Sequence, residues 1–101
     1  MNIVILPCAR EDLADGFALY EQKESGLGGY FLNSLFSDID SLRLYAGVHR
    51  KVFGLHRLLS DRFPFAIYYS KSHKTALVRA VLDCRRNPTW MRRKLKRASQ
   101  E

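Results

Sequence analysis

Clustered metal ligands are missing from this chain. It has two cysteines, Cys8 and Cys84, far apart, and no C-x-x-C or H-x-x-x-H spacing. That excludes a zinc module and a disulfide framework. The two thiols read as reduced and semi-buried, and neither a metal nor another cofactor is expected. Long hydrophobic runs are missing too. No stretch approaches the roughly 20 apolar residues of a membrane helix, so no membrane partner is expected. The opening "MNIVILPCAR" has no basic leader and reads as a first strand, which points to the cytoplasm. Acids are scarce in the second half. Residues 1–42 carry two bases against seven acids, residues 43–83 eight against two, and residues 84–101 seven against one. A net charge of +7 placed so unevenly predicts a positive surface for a nucleic acid or an acidic protein segment.

At 101 residues the chain is expected to form one domain, 1–101, with a basic C-terminal segment 85–101. Asn2 to Leu6 is a continuous apolar run of strand length, closed by Pro7. From Arg10 the period changes. Leu13, Phe17 and Tyr20 fall on one helical face, and Glu11, Asp12 and Asp15 occupy the first turns, where the helix dipole favours carboxylates. Gly16 costs this helix about 1 kcal/mol relative to alanine, which predicts a close helix contact there. "GLGG", Gly26 to Gly29, follows a helix and lacks Lys-Ser/Thr, so it is no phosphate loop and reads as the turn of a helical hairpin. A second helix is predicted from Tyr30 to Tyr45, with Leu32, Leu35, Phe36, Ile39 and Leu42 as its buried stripe.

After the loop "YAGVHRK" the period drops to two. Val52–Ser60, Phe63–Ser70 and Thr75–Cys84 read as three strands of an antiparallel meander, with Pro64 at a strand start, an edge or a bulge. Simple alternation places Ala76, Val78, Ala80 and Leu82 on one face of the third strand and Arg79 on the other. Tyr68 and Tyr69 then point to opposite faces, one of them into the core. Pro88 suits the first turn of a last, basic helix, Thr89 to Ala98. The predicted class is α+β, in the order β-α-α-β-β-β with a short basic C-terminal helix. The hairpin covers one sheet face and leaves the other to the strand arginines.

The order, with "YEQKESGLGGYFLNSL", "HRLLSDRFPFAIYY" and "AVLDCRRNPTW", resembles the RelE/ParE superfamily of type II toxin–antitoxin toxins, the plasmid stabilisation proteins, over residues 2–95. The resemblance implies a cognate antitoxin that wraps the toxin, and growth arrest when the toxin is free. RelE-like members cut messenger RNA on the ribosome. ParE-like members poison DNA gyrase. DNA contact is expected only through the antitoxin.

A nuclease of this kind needs a base, a leaving-group acid and cations at the phosphorane. Arg57, Arg79, Arg85 and Arg86 supply charge, and His56 is the candidate proton carrier. The RelE-like tyrosine after the last strand is missing: beyond Asp83 there is neither Tyr nor His, and the indole of Trp90 cannot transfer a proton. A binding surface is better supplied. Arg85, Arg86, Trp90, Arg92 and Arg93 are the candidate target contacts, which leans towards the ParE-like branch. Competing with this, Trp90 staples the last helix to the sheet and the run from Arg92 is a solvated tail. Tyr20, Phe31 and Phe36, with Arg57 and Arg79, are the candidate antitoxin contacts, set against burial of the aromatics in the chain's own core. A basic nucleic-acid-binding module without toxicity is the third reading.

Overall fold

Two of the three prolines occupy helix starts, where a missing N–H leaves no bond unmade. A computed structural model describes residues 1–101. Pro7 opens α1 (Pro7–Lys23) and Pro88 opens α4 (Pro88–Ala98). Pro64 stands just before β4 (Phe65–Ser72), where its carbonyl accepts from the Cys84 amide at 2.7 Å. Between these points lie β1 (Asn2–Ile5), α2 (Leu27–Asp40), α3 (Leu42–Tyr45), β2 (Lys51–Val52), β3 (Leu55–Leu59) and β5 (Thr75–Asp83). The sheet order is β1-β5-β4-β3-β2, with β1 parallel to β5 and the other pairs antiparallel. The α+β class and the meander stand as expected.

"GLGG" is the hairpin turn. Gly26 has φ 90°, open to glycine and strained for most other residues. The Glu21 carboxylate accepts the amides of Gly26 at 3.0 Å and Gly28 at 2.9 Å, which pins the start of α2. The close contact expected at Gly16 is there: a Cβ at that position would lie 2.5 Å from Cζ of Phe31.

The second helix is shorter than predicted. It breaks at Ser41, whose hydroxyl donates to the Asp38 carbonyl at 2.6 Å, and α3 follows as one turn. Phe36 lies 44% exposed, outside the buried stripe. The predicted strand Val52–Ser60 is two strands, β2 and β3, joined by a turn at Phe53 (φ 54°) and Gly54 (φ 80°).

The sheet is covered on both faces, which corrects the expectation of a free face. On one side the hairpin packs Leu13, Tyr20, Phe31, Leu35 and Ile39 against Phe65, Ile67 and Tyr69. On the other, Leu95 and Ala98 of α4 pack on Leu55, Ala66, Tyr68, Ala80 and Leu82. Tyr68 and Tyr69 are therefore both core, at 2% and 0% exposure. A bulge resets the alternation of β5. Tyr68 pairs with Ala80 and Tyr69 with Val78, so Arg79 is the extra residue. Beyond it Ala80 and Leu82 turn to the α4 side and Val81 to the hairpin side, where simple alternation had the reverse.

Candidate functional site

The "RRNPTW" stretch is a helix start built to hold α4. The Asn87 side chain caps it, accepting the Trp90 amide at 2.9 Å, and Pro88 fills the first turn. The basic run from Arg92 is helix to Ala98 with two buried residues, so the tail reading is corrected. Its apolar residues Met91, Leu95 and Ala98 recur at i, i+4 and i+7 and bind it to the sheet.

The seven cations of this segment divide by partner. Arg85 makes two side-chain bonds to Asp83, at 2.9 and 3.0 Å. Lys94 pairs with Asp12 at 3.1 Å, and Arg97 with Glu11 at 3.3 Å. Arg86, Arg92, Arg93 and Lys96 have no ion pair. Arg86 lies over the Trp90 ring at 4.1 Å, with Lys94 at 5.6 Å. Trp90 is half-buried, so it joins the helix to its surroundings and still shows an edge. Beside it a cavity of about 260 Å³ is lined by Asp12, Asp15, Asp83, Arg86, Trp90 and Lys94. Burial pushes the Asp12 carboxyl up, against the Val81 amide (3.0 Å) and Lys94 that hold its charged form. Burial acts upward on Asp83 too, but the Arg85 bonds win and its carboxyl lies below the usual range.

The nuclease candidates are not brought together. His56 pairs with Tyr69 and stacks on its ring at 5.0 Å, on the hairpin side. Arg57 pairs with Tyr68 on the α4 side, half-buried. Arg79 lies under the end of α4, its guanidinium donating to Ser70 Oγ at 3.0 Å and to the carbonyls of Ala98 and Glu101 at 3.5 and 3.3 Å. Arg85 and Arg86 sit beyond the strand end. The sheet itself separates the proton carrier from the strand cations. On the α4 side, burial pushes up the Tyr68 phenol, and desolvation pushes up the Cys84 thiol although that residue is exposed overall.

One polar cluster was not anticipated. The Tyr69 hydroxyl accepts the Gly47 amide at 2.9 Å and bonds His49 Nδ1, while His56 Nδ1 donates to the His49 carbonyl at 2.6 Å. Burial, then the nearby His56, pushes His49 down, in keeping with a neutral ring accepting from Tyr69. The three residues share no sequence spacing. Only the register of β3 on β4, which sets His56 opposite Tyr69, could have linked two of them.

The aromatic antitoxin candidates also separate. Tyr20 and Phe31 are core, stacked at 5.1 Å. Phe36 faces outward, in an apolar groove of about 430 Å³ with Ile5, Leu13, Ala14, Phe17 and Leu32.

This is the ParE-like fold, an α+β sheet with a helical hairpin on one face. Among solved structures, the chain is similar to one from the chromosomal ParDE TA system from P. aeruginosa, with a TM-score of 0.72. The match covers 80% of this chain and 92% of that one at 16% identity, a likeness of fold. No family model matches the chain, and no curated protein matches it in sequence.

Proposed function

We propose that the chain is the toxin of a type II toxin–antitoxin module acting in the cytoplasm, that it arrests growth by binding a target, and that a cognate antitoxin neutralises it. One observation carries the choice of binding over RNA cleavage. The sheet face on which arginines would meet a phosphate is roofed by α4, with Arg79 tied to the helix end. The unpaired cations Arg86, Arg92, Arg93 and Lys96 are exposed and need no catalytic geometry. DNA gyrase is the candidate target through the family resemblance, rather than the ribosome and its message. The groove beside Phe17 and Phe36 suits the apolar side of an antitoxin helix, and the sheet edges at β1 and β2 suit an extended segment. Duplex DNA is met through the antitoxin.

Expression of the chain alone tests this. DNA synthesis should stop first, with transcripts intact, and an antitoxin co-expressed from the same module should restore growth. Early loss of translation with cuts in the ribosomal A site would replace this reading with the endonuclease. Absence of arrest would replace it with a basic module that is not a toxin.

A further inference from the structure

The turn between β2 and β3 holds an aromatic ring where local energetics disfavour one. Phe53 sits at φ 54°, in the left-handed region that asparagine, aspartate or glycine normally fills in a two-residue turn. The residue is 60% exposed, so burial does not offset the strain. The ring lies 5.7 Å from the Arg92 guanidinium. With Arg92, Leu95, Lys96 and Ser99 it lines a recess of about 190 Å³. Arg92 and Lys96 are one helical turn apart on α4, and neither has an acidic partner; nor does Arg93 beside them. From Cys84 to Gln100 the chain contains no acid at all.

We propose that this recess binds single-stranded nucleic acid, with an unpaired base stacked on Phe53 over Leu95, and Arg92 and Lys96 on the flanking phosphates. A flat apolar ring framed by unpaired cations is the arrangement such ligands need, because every base has a π-face and every linkage a charge. An acidic protein segment would satisfy the cations but gives no account of an exposed ring held at a strained turn. The site shares Arg92 with the proposed target surface, but its readout is oligonucleotide binding, which stands or falls whether or not the chain arrests growth.

Fluorescence anisotropy with the full chain and a labelled oligothymidylate of about 12 nucleotides is the test. Affinity should fall linearly with salt on logarithmic axes. Phe53→Gly removes the ring and relieves the strained φ, so it should keep the wild-type circular dichroism and lose affinity about tenfold. Arg92→Gln with Lys96→Gln should lower the salt slope by roughly 1.4. Arg43→Gln, which removes a cation already paired with Asp40 on another element, should change neither. Undiminished binding by Phe53→Gly would overturn the proposal. So would preference for a duplex over the single strand, or competition by polyglutamate as effective as by unlabelled oligonucleotide.

Discussion

Asp12 is a carboxylate in a core position, 6% exposed, and it joins three elements: it lies on α1, accepts from Val81 of β5 and pairs with Lys94 of α4. Asp12→Ala leaves the buried Val81 amide without an acceptor and should cost about 1–3 kcal/mol in denaturant unfolding. The pH dependence has a definite sign. Burial raises the folded carboxyl above its unfolded value, so the folded state binds the proton more tightly. The stability it contributes is full below about pH 4 and is lost as pH rises through the raised folded value. Asp12→Asn, which keeps an acceptor, should remove that slope from unfolding curves taken across mildly acidic pH. Asp83, with its carboxyl lowered on balance, works oppositely and loses its contribution as pH falls. Gly16→Ala gains helix propensity of about 1 kcal/mol but drives a methyl into the Phe31 ring, an overpacking cost of about 1–3 kcal/mol, so the thermal midpoint should drop. Gly16 was legible in the sequence because a glycine inside a helical pattern asks for a reason. Asp12 was not. Glu11, Asp12 and Asp15 look alike in a helical pattern, and the helix begins at Pro7, ahead of all three, while the Val81 amide lies 69 residues away.

At the scale of elements, α4 decides what the sheet can do. It roofs one face, and its loss would bare Tyr68, Ala80 and Leu82. Leu95→Ala should therefore cost about 2–5 kcal/mol, read as a lower denaturation midpoint. Truncation after Asn87 should expose the apolar face, seen as dye binding and aggregation. The hairpin and the meander were readable because helix and strand periods differ and glycine and proline mark the joins. Two irregularities were not. The bulge at Arg79 leaves the apolar composition of β5 unchanged while reversing which side chains face the hairpin. The Phe53–Gly54 turn interrupts a run whose period of two looks continuous. The roof itself carried a signal, since Met91, Leu95 and Ala98 stand one helical face apart among cations. Charge density masked that stripe and left a solvated tail standing as an alternative to the predicted helix.

Across the whole molecule the two halves of opposite charge partly meet. Glu11 and Asp12 of the acidic half hold Arg97 and Lys94 of the basic half. In the C-terminal segment this leaves a smaller set of cations without an ion pair, Arg86, Arg92, Arg93 and Lys96, and these are the ones proposed for the target. Arg86→Gln should abolish growth arrest at little cost to the fold, because Arg86 has no ion pair to break and its stacking on Trp90 is worth about 0.5–1 kcal/mol. Glutamine rather than glutamate is the choice at Arg85 too, since a glutamate there would face Asp83 across about the present bond length. Target binding through these residues should weaken with added salt. The most direct test is a titration of purified chain into a DNA gyrase supercoiling assay on intact plasmid. Supercoiling should be lost near stoichiometric toxin and persist with Arg86→Gln. Supercoiling unchanged at saturating chain, with ribosome-bound message cut by the same preparation, would contradict the account.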